Sequence, residues 1–149
     1  MSQKFKPGKI LVAVDGSESS AKAAETASRI AYDSGAELTI LHVLELPPIS
    51  ITGDVYVPVD KLEADARKEA ERFTSKFRVA AEGVGAKAAV DILVSDGSVV
   101  DTVVRYAENG KFDLIVAGTR GLGGFKRLIL GSVAAGIVHY AHCSVLIVR

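Results

Sequence analysis

Short apolar runs alternate along this chain with longer stretches in which apolar residues recur every three or four positions, and that alternation dictates the elements. Lys9 to Val14 is an apolar run, partly β-branched, of the kind a strand buried on both faces displays, and Asp15-Gly16-Ser17 stops it. Ser17 is placed to cap a helix over Glu18 to Ser34, where Ser20, Ala24, Ala27, Ala31 and Ser34, beside Ala23 and Ile30, make a face of mostly small residues. Such a face lets a helix lie close to a sheet, and Gly35 ends it. Glu37 to Leu44 predicts the second strand. The segment Glu45 to Pro58 follows, with Pro47-Pro48, Gly53 and Pro58; it is long and apolar for a connection, which suits a lid, a contact surface or plain irregular packing.

Val59 to Gly83 predicts a helix with one buried face, carried by Leu62, Ala66, Ala70, Phe73 and Phe77 and continued by Ala80 and Val84. Ala88 to Val94 is the third strand, ended by Ser95-Asp96-Gly97. Ser98, with Asp101 three residues on, resembles a capping box for a helix over Val99 to Glu108, which Asn109-Gly110 closes. Phe112 to Ala117 is the fourth strand. A glycine-rich loop leads to Ser132, placed to cap a helix over Val133 to Ala141, and Ser144 to Val148 is the fifth strand. Every crossover is long enough to bring the chain back parallel to its last strand. The expected fold is therefore an α/β three-layer sandwich on a five-stranded parallel sheet, a single domain over residues 1–149.

Composition narrows the function more than the fold. At 149 residues and 48% hydrophobic content, one domain with a sizeable core is the natural size. Eighteen basic and eighteen acidic residues cancel, so no overall field draws the chain to nucleic acid or an anionic membrane. No apolar stretch reaches the roughly 18 residues of a membrane span. The polar start Met1 to Pro7 does not read as a signal peptide, and the lone Cys143 has no internal disulfide partner, so the expected location is cytoplasmic. His42, His139 and His142 lack metal-ligand spacing, and Cys143 suits the start of a core strand better than a nucleophile.

The loop after the fourth strand carries Gly118, Gly121, Gly123 and Gly124, and it ends at Gly131-Ser132. Glycines let consecutive backbone N–H groups converge on an anion, and a helix start offers more N–H groups and a positive dipole end. Arg120, Lys126 and Arg127 add local positive charge. Neither familiar phosphate motif fits. The span Gly131 to Gly136 has the outer spacing of a Walker A loop, but Ile137-Val138 stands where Lys and Ser or Thr are needed. Gly121 and Gly123 would open a dinucleotide fingerprint, but Lys126 occupies the third glycine position. A phosphoreceiver domain would want an acidic cluster after the first strand, where Asp15 stands alone before Gly16-Ser17.

The spacing Gly118, two residues, Gly121, nine residues, Gly131-Ser132 resembles the ATP-binding signature of the universal stress protein family, and the resemblance runs from Lys9 to Val148. It implies the Rossmann-like fold of the adenine nucleotide alpha hydrolase group, with strand order 3-2-1-4-5. It also implies ATP as ligand, with Mg²⁺ or Mn²⁺ arriving on the phosphates. By the same resemblance, Asp15 would position base or ribose, Val43 would read the adenine edge through its backbone, and Ala13 and Ala117 would line the base. Gly118, Arg120 and Gly121 would flank ribose and phosphates, and Gly131, Ser132 and Val133 would hold the phosphate chain through N–H groups and a hydroxyl. Ala134 lacks the hydroxyl that some relatives carry there. Asp15-Gly16 taken locally is an ordinary turn pair as well. The resemblance further implies a homodimer through Ser144 to Val148, and a nucleotide-dependent switch with at most slow hydrolysis. A weak ATPase or nucleotidyl-handling enzyme, and a dimeric interaction protein with an idle pocket, are the alternatives.

Overall fold

Two strands that read as continuous apolar runs lie at the centre of the sheet. A computed structural model, which describes residues 4–46, 59–95, 97–119 and 130–149, has β1 at Lys9–Ala13 and β4 at Leu114–Gly118, paired in parallel with Val12 opposite Val116. Ile10, Leu11 and Val12 are wholly buried because helices cover both faces. β2, Glu37–Leu44, flanks β1 on its other side, β3, Lys87–Val94, lies beyond β2, and β5, Ser144–Val148, lies beyond β4. The order β3-β2-β1-β4-β5, parallel throughout, is the one the family resemblance implied.

Alternation along each strand divides the core in two. Ile10, Val12, Leu38, Ile40, Leu114 and Val116 face the helices α1, Glu18–Ser34, and α2, Val59–Gly83. Leu11, Leu41, Val43, Ile115 and Ala117 face α3, Val99–Asn109, and α4, Ser132–Tyr140. The small-residue face of α1 is confirmed in Ser20, Ala23, Ala24, Ala27 and Ala31, and it includes Ser28, whose hydroxyl donates to the Ala24 carbonyl at 2.7 Å. Ser17 caps α1 by accepting the Ser20 N–H at 3.1 Å, and Gly35 ends it at φ 71°.

Three details depart from the sequence pattern. The buried seam of α2 runs through Ala70, Thr74 and Ala81, with Phe73 and Phe77 half-buried, whereas Leu62, Ala80 and Val84 are exposed. Thr74 can occupy the seam because its hydroxyl donates to the Ala70 carbonyl at 2.6 Å, which satisfies it inside its own helix. At α3, Ser98 accepts the Asp101 N–H at 3.2 Å as expected, but the Asp101 carboxylate turns to Arg105 at 2.8 Å. Lastly, β1 ends at Ala13 instead of Val14, for a reason that belongs to the site.

Candidate functional site

Where β1, β2 and β4 end, their helices have not yet closed over the sheet, and a cavity of about 820 Å³ opens there. This is the crevice at which a doubly wound sheet takes its ligands, because the connections from β1 and β4 leave on opposite faces. Ala13 and Ala117 form its floor with Val99 and Val103 of α3, and Asp15 and Val43 stand on its wall. Gly118, Gly131, Ser132 and Val133 complete the opposite wall. Arg120 and Gly121, together with Gly123, Gly124, Lys126, Arg127 and the segment 47–58, lie outside the described residues.

Asp15 is half committed. Its Oδ1 accepts the Ser17 N–H at 2.9 Å, an Asx turn that carries the chain into α1, and Gly16 follows at φ +84°. A side chain at Gly16 would also meet the Phe73 ring at 3.1 Å, so this glycine serves both backbone conformation and packing. The turn reading of Asp15 is thus met, and the carboxylate that holds the turn stands on the cavity wall.

Gly118 has a cause the sequence pattern did not reveal. A Cβ there would fall 2.7 Å from the carbonyl oxygen of Ser19, so the missing side chain lets the end of β4 pass the first turn of α1. Next to it, buried Thr119 donates its N–H to the Val148 carbonyl at 3.1 Å, and its own carbonyl accepts the Gly131 N–H at 2.5 Å. The two ends of the glycine loop are thereby tied together. Thr119 acts through its main chain, which leaves no trace in side-chain chemistry. The Gly131 amide, expected to hold phosphate, is engaged by the protein itself.

The expected cap at Ser132 is corrected as well. Gly131 is the N-cap, extended at φ −69° and ψ 166°, and among the described residues no side chain caps α4. Ser132 is already helical, so its hydroxyl has moved past the position from which a cap reaches the next turn. The first turn-closing bond runs from the Ala135 N–H to the Gly131 carbonyl at 3.0 Å. The amides of Ser132, Val133 and Ala134 precede it and stand at the cavity with the positive end of the helix.

Charge divides the cavity. Asp15 after β1, Glu45 after β2 and Glu69 of α2 line it, while the start of α4 carries no acid. An anionic group therefore finds its favourable end at α4, and a neutral polar group suits the other. Among the described residues, no three of His, Cys, Asp and Glu gather as metal ligands. No described helix is long and apolar enough to cross a membrane. Cys143 packs in the α3 and α4 core, where burial and then the Asp113 carboxylate push its thiol up, against thiolate chemistry. His42 and Phe73 also line the cavity, though apolar periodicity marks neither as a site residue.

Comparison with known proteins gives the family. The pattern of the universal stress protein family matches residues 7–149. The universal stress protein YxiE of Bacillus subtilis is 37% identical over 149 residues, covering 95% of this chain and 98% of that one. The structure of universal stress protein UspA from Lactobacillus plantarum superposes with a TM-score of 0.84 at 25% identity, over 98% of this chain and all 100% of the other. A universal stress protein in complex with cAMP superposes with a TM-score of 0.74 at 28% identity, over 97% and 99% of the two chains. The signature glycines, the strand order and these matches concur, and the chain belongs to the universal stress protein family.

Proposed function

We propose that this chain binds an adenine nucleotide, ATP foremost, and works as a nucleotide-dependent switch in the stress response with at most slow hydrolysis. The observation that carries the reading is the pairing, across one cavity, of the amides at the start of α4 with the Asp15 carboxylate and the backbone of Val43. A volume of about 820 Å³ suits a nucleotide-sized ligand. The division of charge favours phosphates at α4 and base with ribose between Asp15 and Val43. The related structure in complex with cAMP supports the same class of ligand. A divalent cation, Mg²⁺ or Mn²⁺, would take its shell from the phosphates and water.

Two further parts of the proposal are a cytoplasmic location and a homodimer through β5. Supporting the dimer, β5 is a sheet edge with half-buried Val145 and Ile147, and Val138 and Tyr140 on the preceding helix are 50% and 67% exposed. Sedimentation of micromolar protein as a monomer would count against it.

Val133→Asp tests the binding mode. Val133 lies in the first turn of α4 and is 38% exposed, so an acid there suits the helix dipole and leaves the fold intact. The same charge repels phosphates, and ATP affinity should fall by about tenfold or more, while adenosine affinity stays unchanged. Calorimetry on nucleotide-stripped protein makes the comparison. Equal ATP affinity in variant and wild type would remove the phosphates from α4.

A further inference from the structure

We infer that His42 is a positioning residue for base recognition: its ring ends the β1–β2 ladder early and keeps the Val43 main chain open to the cavity. This rests on the nucleotide reading of the site and adds a residue that neither the glycine signature nor Asp15 includes. The register Val12 to Ile40 and Ala13 to Leu41 sets Val14 opposite His42. In a parallel ladder Val14 would then donate to the Leu41 carbonyl and accept the Val43 N–H. The first bond is made, at 2.9 Å. In place of the second, His42 Nδ1 lies 2.6 Å from the Val14 carbonyl oxygen. A carbonyl can only accept, so Nδ1 carries the proton in this contact.

The consequence falls on Val43. The Leu41 carbonyl faces β1, and strand alternation turns the N–H and carbonyl of Val43 the same way, past the end of β1 and into the cavity Val43 lines. Among the described residues, no carbonyl accepts the Val43 N–H. A buried donor without an acceptor is costly, and a base edge offering an acceptor beside a donor would satisfy both of its backbone groups. Adenine offers that pair through N1 and the 6-amino group; hypoxanthine reverses it. The ring is held in place by Phe73, whose plane meets it edge-on at 4.9 Å between centroids, and Phe73 in turn packs under Gly16.

The test uses amide hydrogen exchange on nucleotide-stripped protein and calorimetry with ATP and inosine triphosphate. In the wild type, the Val43 amide should exchange at least about tenfold faster than the bonded amides of Val14 and Ser95. His42→Leu removes the donor on the Val14 carbonyl, so Val43 should close onto it, gain protection and lose about fivefold in preference for ATP over inosine triphosphate. His42→Asn, whose side-chain nitrogen falls near the place of Nδ1, should restore exchange and preference even if the leucine variant folds poorly. A general loss of structure would weaken both nucleotides alike and leave their ratio unmoved. Wild-type protection at Val43 equal to that at Val14 overturns the inference, as does a leucine variant with wild-type exchange and ratio. If the wild type binds neither nucleotide, the nucleotide reading fails, while the exchange comparison still decides whether His42 holds Val43 open.

Discussion

The two ends of β1 and β4 are built in opposite ways. At their amino ends the Asp113 carboxylate accepts the Gly8 N–H at 3.0 Å and the Lys9 N–H at 3.2 Å, while the Asp113 N–H donates to the Lys9 carbonyl at 3.0 Å. The Lys9 ammonium donates to the Gly110 carbonyl at 2.5 Å and lies over the Phe112 ring at 4.6 Å. Side chains there finish what the ladder leaves undone. At the carboxyl ends, the ladder stops at Val14, the amides of α4 precede its first turn-closing bond, and a cavity separates the strands from their helices. The same strands are closed where they start and open where they stop, so stability and binding should respond to different residues.

The largest effect should come from a rigid contact at the open end, where Gly118 passes the first turn of α1. Gly118→Val drives a side chain into the Ser19 backbone, which cannot swing aside as a flexible side chain would. The expected loss is roughly 3 kcal/mol of stability, with ATP binding lost as β4 parts from α1. Urea unfolding checks it, and a midpoint equal to that of the wild type would show that the approach of Gly118 to Ser19 is not tight. At the closed end, Asp113→Ala removes the acceptor for two backbone N–H groups that water can still reach. It should lower stability by about 1–2 kcal/mol and leave ATP affinity within about twofold. A large fall in affinity for Asp113→Ala would mean that the two ends are coupled and the contrast fails.

That contrast was only partly legible in the residues. The fold was accessible because β1 and β4 are buried on both faces and so read as unbroken apolar runs, and because α1 needs small residues to approach them. Strand order was not, since crossovers between distant strands leave no local pattern; it came from the family spacing and agrees with the structure. Positions in the cavity followed from the same spacing, but their physical reasons often differed. A glycine at 118 looks the same whether the space beside it belongs to a phosphate or to Ser19. Ser132 has the side chain that suits a cap, and only the backbone angles say that Gly131 before it is the cap. Thr74 looked polar and Ala80 apolar, yet a hydroxyl bonded within its own helix let the seam of α2 pass through Thr74 to Ala81. His42 reads as one more polar position in an alternating strand, because its effect on Val43 depends on where Val14 falls across the ladder.

The smallest predicted effect lies on the α3 side of the sheet and depends on pH. Tyr106 of α3 stacks on Phe112 with ring centroids 5.7 Å apart and donates to Asp91 of β3 at 2.9 Å. Burial, then the hydrogen bond to Asp91 and its charge, push the phenol from 10.0 up to about 12. A folded value above the unfolded one means that the fold favours the neutral phenol. Its contribution is therefore complete below pH 10 and is lost as pH rises toward 12. Tyr106→Phe keeps the stacking and removes the hydrogen bond, so at neutral pH the variant should be less stable by about 1 kcal/mol or less. Above about pH 10 the wild type should lose stability faster than the variant, and the gap between them should narrow. Urea unfolding of both proteins at about pH 8 and about pH 11.5 measures that gap. A gap that stays constant would mean that Tyr106 titrates alike in both states and that Asp91 does not hold its proton. ATP affinity at neutral pH should be the same in both proteins, because neither Tyr106 nor Asp91 lines the cavity.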